Sequence, residues 1–244
     1  MNPVRHIAAL VALFLALAAS PRPALAQTKA DAFAGKIPPV SGQLYQKAGR
    51  IEVTPSFGMS LNDAFFTKYF GGVDVGYHLS ESWSASVSLA GGAAVRSGSA
   101  VRCTATAGCV NASESELRQV PGRVRAIAAV GLAWAPVYGK LNVLSEQVAH
   151  FDLAVLGGID GIQRDEVLAR DQAGAKPGAV RSYGFHAGLG AHLFFGEAVA
   201  ARLVVKDIVY PVNVPNNGSG NDWQNQLFTE IGLSIFFPTH NRQR

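Results

Sequence analysis

Three sets of residues in this 244-residue sequence are of types that could do chemistry. Cys103 and Cys109 are the two cysteines of the chain, and they flank the sequence TATAG. His186 and His192 lie six residues apart and could bind a metal ion, with His78 as a third ligand. Ser182 and His186 could act as nucleophile and general base, as in an enzyme that hydrolyses or transfers acyl chains.

The two cysteines are predicted to form a disulfide in a long loop. The export of the chain, argued below, places them in an oxidising environment that favours this bond. A metal-binding pair and two free thiols are the alternatives, but no His lies nearby to complete a metal site. The ring closed by Cys103 and Cys109 is small, which limits any stabilisation by the bond.

Whether the two histidines can bind one metal ion, and whether Ser182 can react with His186 as its base, depends on how far apart these residues lie. In a strand, six residues span about 20 Å and four residues span about 13 Å. His186 and His192 therefore cannot share a metal ion, and Ser182 cannot reach His186. The sequence predicts no catalytic residues, no metal site and no cofactor. The glycines of "GLG" at Gly188–Gly190 precede no helix and predict no nucleotide loop.

The first 26 residues have the layout of a cleavable secretory signal. Arg5 precedes an uncharged apolar run from Ile7 to Ala19, and Ala24-Leu25-Ala26 supplies small residues before the predicted cut. An uncleaved membrane anchor is the alternative, for which this run is short. We predict a signal at residues 1–26, a periplasmic segment at 27–48 and one barrel domain at 49–244.

The composition of the predicted mature chain is rich in glycine and nearly neutral. Its 218 residues (244 minus 26) carry 19 basic residues (21 minus Arg5 and Arg22) against 17 acidic ones, a net charge of +2. This balance gives no reason to expect a nucleic-acid partner. The 26 glycines of the full chain exceed the usual share of about 7% and disfavour helices.

Apolar residues alternate with polar or small residues in eight segments, which predicts eight strands. In Gly72–Leu79, for example, Val73, Val75 and Tyr77 fall on one face. The predicted strands are Arg50–Met59, Gly72–Leu79, Trp83–Ala90, Val124–Trp134, Phe151–Ile162, Tyr183–Phe195, Val199–Val209 and Thr229–Phe237.

Three features favour a membrane barrel over a soluble sandwich. The less apolar face is rich in Gly, Ser and Ala, which suits a narrow barrel interior. Short turns alternate with long loops, although Pro136–His150 is long for a turn. The aromatic residues fall at the strand ends, as in two interfacial belts. The predicted belt at the short turns comprises Tyr77, Trp83, Trp134, Phe151, Phe195 and Phe237, and Phe70, Tyr183 and Phe185 fall at the other ends.

Eight strands form the smallest common closed barrel, whose interior is filled by side chains. Charges inside it must pair with one another. We therefore predict a plugged lumen rather than an open pore. The predicted polar network of the lumen comprises Glu52, Asp74, His78, Arg125, Asp160, His186, His192, Arg202, Lys206 and Glu230.

The last strand resembles the terminal-strand signal that the outer-membrane insertion machinery reads. The matching residues are Glu230, Gly232, Ile235 and Phe237. In such signals the last aromatic residue usually ends the chain, whereas Pro238–Arg244 follows here. An ordinary amphipathic strand is the alternative interpretation.

Several stretches resemble the single-domain outer-membrane β-barrel family typical of myxobacterial proteomes, a barrel of the OmpA/OmpX-like type. The distinctive pieces are Leu61-Asn62-Asp63, Tyr77-His78-Leu79 and Tyr138-Gly139-Lys140. The resemblance runs from about Gly49 to Phe237. It implies a fold and an outer-membrane location, and it implies no catalytic residues.

The expected fold is therefore all-β: an eight-stranded antiparallel up-and-down transmembrane barrel in a bacterial outer membrane. The expected role is structural, adhesive or surface-interacting, with a small passive channel and an acyl-modifying enzyme as second and third alternatives. The expected partners are outer-membrane lipids, lipopolysaccharide, the insertion machinery and an unidentified surface partner. A soluble periplasmic barrel that binds a small lipid is a further alternative at the level of the fold.

Overall fold

The computed structural model describes residues 45–105, 108–143, 147–172, 174–215 and 221–238. The predicted signal sequence and most of the predicted lead-in segment lie outside these residues. The described elements are β1 (Ile51–Ser60), β2 (Phe66–His78), β3 (Trp83–Arg96), β4 (Val101–Thr104), β5 (Gly108–Asn111), α1 (Glu114–Leu117), β6 (Val124–Val143), β7 (Gln147–Asp165), a 3-10 helix (Arg170–Gln172), β8 (Ala179–Phe194), β9 (Val199–Asn213) and β10 (Asn221–Phe237).

Within the described residues, eight strands close into one antiparallel barrel in the order β1-β10-β9-β8-β7-β6-β3-β2. The pair β4 and β5 forms a separate two-stranded sheet. Apart from the β4–β5 insertion, each barrel strand pairs with its neighbours in the chain, and β1 closes the ring with β10. The predicted fold of eight up-and-down antiparallel strands is confirmed.

The strands are tilted, as the register around the barrel requires. Following paired residues from Ile51 through each strand leads back to β1 at Leu61, whose N–H donates to the Leu227 carbonyl. One circuit therefore advances ten residues along β1 (61 minus 51). A stagger of this kind goes with strand tilts of about 35–45° and, for eight strands, with an interior that side chains can fill.

Alternate residues of each strand face outward and inward. In β2, Val73, Val75 and Tyr77 are exposed, whereas Lys68, Phe70 and His78 are buried. Phe70 was predicted to join an outer aromatic belt, but it has the same parity as Gly72 and so lies inside the barrel. The strand begins at Phe66, six residues before the predicted start, and the same alternation of inward and outward residues continues through these added residues.

The two ends of the barrel differ in the length of their connections. We call the end with residues 79–82 and 195–198 the turn end. The other end, where the described residues of the connections after β1, β3, β7 and β9 lie, we call the loop end. The predicted long turn Pro136–His150 belongs to the turn end, but most of it is strand. β6 has a register irregularity between Trp134 and Val137 and then continues to Val143. β7 begins at Gln147.

The seam between β1 and β10 is interrupted at Pro55. Backbone pairing stops between Val53 opposite Ile235 and Ser56 opposite Gly232. Proline has no N–H to donate to the neighbouring strand. Side chains connect the two strands at this point, where the Thr54 and Ser234 hydroxyls lie 2.8 Å apart.

No helix among the described residues is long and apolar enough to cross a membrane.

Several inward glycines, Gly188 among them, leave no room for a Cβ, which gives a first prediction. A Cβ at Gly188 would lie 2.7 Å from the Cα of Lys206 and against the Val205 carbonyl oxygen. We expect Gly188→Ala to lower the free energy of unfolding by about 1–3 kcal/mol, because backbone atoms of β9 must shift. Urea unfolding in phospholipid vesicles measures this.

Gly71→Ala is the matched control, since Gly71 is an outward strand glycine with nothing within 4 Å of its added Cβ. We expect it to change stability by less than about 0.5 kcal/mol. Equal losses in the two variants would contradict the steric explanation.

Candidate functional site

The half of the lumen nearer the turn end, which we call the lower half, is organised around Glu52, which β1 directs inward. Its carboxylate faces the Nε2 atoms of His78 and His192 at 2.9 and 3.0 Å. It also accepts hydrogen bonds from the Ser234 and Thr54 hydroxyls at 2.6 and 3.0 Å. All five side chains are buried or nearly so, and they come from β1, β2, β8 and β10. Glu52 therefore ties the first strand to three others through buried hydrogen bonds.

His192 joins this carboxylate to a second one. Its Nδ1 lies 2.9 Å from Asp152, while its Nε2 faces Glu52. When protonated, an imidazole ring donates from both nitrogens, so it can bond both carboxylates at once. The sequence did not single out Asp152, although it has the inward parity of Asp160 on the same strand.

Lys47 completes the lower network from outside the strands. Its ammonium group pairs with Asp152, and both side chains are almost fully buried. Tyr45 follows the same course into the barrel: its ring stacks on Phe194 at 5.6 Å and meets His150 edge-on at 5.0 Å. The described end of the predicted periplasmic segment therefore enters the turn end and closes it.

An aromatic layer lies beneath the network at the turn end. Phe194, Ala200 and Phe236 form a buried cluster, with the rings of Phe194 and Phe236 5.9 Å apart. The guanidinium of Arg50 lies 5.4 Å from the Phe236 ring and donates to the Glu197 carbonyl at 2.6 Å. This layer separates the charged network from the turn end.

Two further ion pairs and one histidine–carboxylate contact occupy the middle of the lumen. Arg202 donates to Asp74 at 2.7 Å and lies 3.9 Å from Glu52. Lys206 pairs with Glu230 at 2.9 Å. Asp160 faces the Nδ1 of His186 with both carboxylate oxygens, each at 3.0 Å.

Two small cavities remain between these groups, with volumes of about 60 and 30 Å³. Asp74 and Arg202 line both cavities and so stand between them. One water needs at least about 10–15 Å³ by this kind of measure, so each cavity has room for a few water molecules.

A buried apolar cluster lies in the half of the lumen nearer the loop end. Phe70 and Phe228 meet edge-to-face with ring centroids 5.4 Å apart. Val167, from the loop after β7, is buried in the same cluster and covers it from the loop end. The remaining buried members are Val124, Ile127, Ile162, Ile208, Tyr210 and Val212.

Of the ten residues predicted for the lumen, Arg125 is the one that the structure places outside. It is exposed and pairs with Asp165 on the outer surface. The reason is a bulge in β6: Val124 pairs with Arg164, but Ala126 already pairs with Gln163. The extra residue reverses the alternation, so that Val124 faces inward and Arg125 outward.

The outer surface carries aromatic residues at both ends. The predicted turn-end residues all lie on the outside, where Trp83 and Trp134 stack with ring centroids 6.1 Å apart. At the loop end, Tyr183 and Phe185 are exposed as predicted. Phe57 and Tyr69 also stack there, with centroids 6.2 Å apart, and take the place predicted for Phe70.

The Leu61-Asn62-Asp63 motif finishes the barrel where β1 ends. The Asn62 side chain accepts from the Leu227 N–H at 2.8 Å, which satisfies β10 beyond its pairing with β1. Asp63 accepts from the backbone N–H groups of Phe65 and Phe66 and pairs with the buried Lys68. These residues have a structural role in the turn into β2.

The loop between β3 and β6 is folded. The predicted disulfide between Cys103 and Cys109 is confirmed and joins β4 to β5. Ser113 caps α1, and its N–H and hydroxyl donate to Glu116, which lowers the pKa of that carboxyl. Leu117 and Ala100 pack with Phe66 and so fix the loop to the rim of the barrel.

The remaining predicted groups have separate roles. Ser182 accepts from Arg164 at 2.9 Å, and His186 faces Asp160, so these two do not form a nucleophile–base pair. Within the described ranges, no group of three or more His, Cys, Asp or Glu side chains is arranged to hold a metal ion. In the predicted assembly signal, Glu230 faces inward and Phe237 outward; its recognition stays a prediction.

The chain is similar to three solved outer-membrane proteins at low identity. They are neisserial surface protein A (8% identity, 77% of this chain and 94% of that one, TM-score 0.38), OprG from Pseudomonas aeruginosa (13%, 79% and 98%, 0.40) and Ail, the attachment invasion locus protein of Yersinia pestis (8%, 78% and 99%, 0.31). No family model and no curated protein matches the chain.

Lys47 gives a second prediction. We expect Lys47→Met to lower the free energy of unfolding by about 3 kcal/mol, near the lower end for a broken buried pair, because His192 still faces Asp152. Urea unfolding in vesicles measures the change. Lys176→Met, an exposed lysine of the loop after β7, is the control, with an expected change below about 0.5 kcal/mol. An equally small effect of Lys47→Met would contradict a stabilising role for the pair of Lys47 with Asp152.

Proposed function

We propose that this protein is a bacterial outer-membrane β-barrel that acts as a scaffold for its loop end, in a structural or adhesive role. The main support for this proposal is the combination of a closed, charge-paired lumen with a folded, exposed loop end.

The outer face of the barrel supports a location in lipid. Leu189, Val75 and Leu233 are 61%, 46% and 46% exposed, and similar apolar residues continue around the strands. A contiguous apolar surface of this extent is unusual for a soluble monomer. Apart from the interruption at Pro55, the closed ring pairs its strands with one another, as hydrocarbon requires. Aromatic residues border the apolar band at both ends. The soluble lipid-binding barrel is therefore not favoured.

The orientation follows from how such barrels are built. Short turns face the periplasm and longer loops face outward in outer-membrane barrels. We therefore place the turn end, with Tyr45 and Lys47, toward the periplasm. The resemblance to the myxobacterial-type family and recognition by the insertion machinery are consistent with this placement and belong to the proposal.

The loop end supports a contact role. The β4–β5 hairpin is exposed along both strands, with Val101 and Val110 presented to solvent. Its disulfide holds it in shape, and a preorganised loop loses less freedom on binding than a mobile one. The two long loops also support each other, because the Leu168 N–H donates to the Arg118 carbonyl at 2.9 Å. The proposed partner is an unidentified molecule at the cell surface, and no catalysis is proposed.

A small passive channel is the second candidate. It is favoured by the two cavities that meet at Arg202 and Asp74. Against it stand the aromatic layer at the turn end and the apolar cluster beneath the loops. The acyl-modifying enzyme has no supporting site in Ser182 and His186.

Conductance separates the scaffold from the channel. We expect the purified protein in planar lipid bilayers to give no stable ohmic step, because ion pairs and aromatic rings fill the lumen. The control is the same detergent without protein. A reproducible step of constant conductance would refute the closed scaffold and favour the channel.

Replacing the hairpin tests the contact role. We expect cells that carry the protein with Val101–Asn111 replaced by a short Gly-Ser linker to lose attachment that the wild type confers. Cell-attachment counts measure this, and heat-dependent electrophoretic mobility checks that the barrel is folded. Because the hairpin lies outside the barrel, stability should change by less than about 0.5 kcal/mol.

The double variant Cys103→Ser/Cys109→Ser keeps the other hairpin residues but lacks the bond. We expect it to attach less well than the wild type and better than the linker variant. Undiminished attachment by the linker variant would contradict the contact role of this hairpin.

A further inference from the structure

A groove of small residues runs along the outer surface across β3, β6, β7 and β8. Gly91, Ala126, Ala128 and Gly161 form its floor, and all four face outward. Leu89 and Tyr183 stand beside it, 64% and 75% exposed. The groove consists of two concavities of about 430 and 510 Å³, which share Ala128, Gly161 and Tyr183.

The outward glycines of the groove have no packing reason to be glycine. A Cβ at Gly161 would have its nearest neighbour at 3.8 Å and a Cβ at Gly91 at 4.0 Å. By contrast, a Cβ at the inward Gly188 would meet the backbone of β9. Glycine weakens a strand interior. The groove is therefore a shape that larger residues would fill without disturbing the barrel.

A cation lies at the loop end of the groove. Ala126, Gln163 and Arg181 lie side by side on β6, β7 and β8, two residues beyond Tyr183 in β8. Arg181 is exposed, and within the described part of the chain its side chain has no hydrogen bond or ion pair. The neighbouring Arg125 is already paired with Asp165. The groove therefore combines an apolar trough with the Arg181 guanidinium, which lies nearer the loop end than Tyr183 does.

We infer that this groove binds one acyl chain of lipid A, with a lipid A phosphate on Arg181. A guanidinium can donate two parallel hydrogen bonds to a phosphate. The inference rests on the proposed function, because the proposed orientation puts the loop end in the leaflet that carries lipopolysaccharide.

Native mass spectrometry of the protein released from detergent micelles tests the site. The probes are hexa-acylated lipid A with both phosphates, the same lipid without phosphates, and phosphatidylglycerol. We expect Gly161→Leu to weaken lipid A binding at least fivefold, since the side chain fills the trough. We expect Arg181→Ala to weaken it at least fivefold for phosphorylated lipid A and less than twofold for the dephosphorylated form.

The controls are Gly71→Leu, another outward glycine with open space around it, and Lys176→Ala, an exposed loop cation. Both should bind lipid A within twofold of the wild type. Heat-dependent electrophoretic mobility confirms that each variant is folded. Wild-type affinity in Gly161→Leu or Arg181→Ala would overturn the site. Phosphatidylglycerol that binds as tightly as lipid A, and whose binding the two substitutions weaken to the same extent, would overturn the assignment to lipid A.

Failure here is distinguishable from failure of the proposed function. Lipid affinity is measured on purified protein and does not depend on where the protein resides in the cell. A protein that fractionates with the aqueous phase without detergent would contradict the outer-membrane scaffold, whatever its affinity for lipid A.

Discussion

Closure of the strand ring is the constraint on which the rest of the structure depends. A backbone N–H or C=O group left unpaired in hydrocarbon costs several kcal/mol, so each strand must be paired along both edges. The most demanding place is the seam between β1 and β10. There the Thr54 and Ser234 hydroxyls bridge the gap at Pro55, and Asn62 satisfies the Leu227 N–H where β1 ends. Asn62 thus satisfies a backbone group of β10, and the contact between the two hydroxyls joins β1 to β10 where their backbone pairing is interrupted.

A ring of eight strands leaves a narrow interior, and this explains the two properties of the lumen. Glycine is needed where neighbouring strands leave no room for a Cβ, as at Gly188. Charged groups placed inside must find partners at short range, because burying an unpaired charge is costly. Glu52 shows the result, with two histidines and two hydroxyls within 3.0 Å. Such an interior suits a rigid support better than a path for ions.

The period-two alternation of the sequence predicts the strands and most of the lumen because parity decides the side on which a residue lies. Prediction fails where parity changes or where contacts come from far along the chain. The bulge in β6 turns Arg125 outward, which local sequence does not reveal. Lys47 pairs with Asp152, 105 residues away, from a segment without alternation. The hairpin of β6 and β7 extends into Pro136–His150, where Pro136 and Gly139 indicate a turn.

The outer surface has two distinct parts: an apolar band with aromatic borders around the strands, and a disulfide-linked hairpin beyond it at the loop end. We propose that the band faces lipid and that the hairpin faces a partner. The central claim is that the outward residues of the strands touch acyl chains. Spin labels at Val75, Leu189 and Leu233 of the vesicle-reconstituted protein test it by relaxation enhancement, with Ser99 in the exposed loop as control. The account predicts that oxygen reaches the three strand labels more often than a water-soluble nickel complex does, with the reverse at Ser99. Nickel accessibility at the three strand labels equal to that at Ser99 would contradict it.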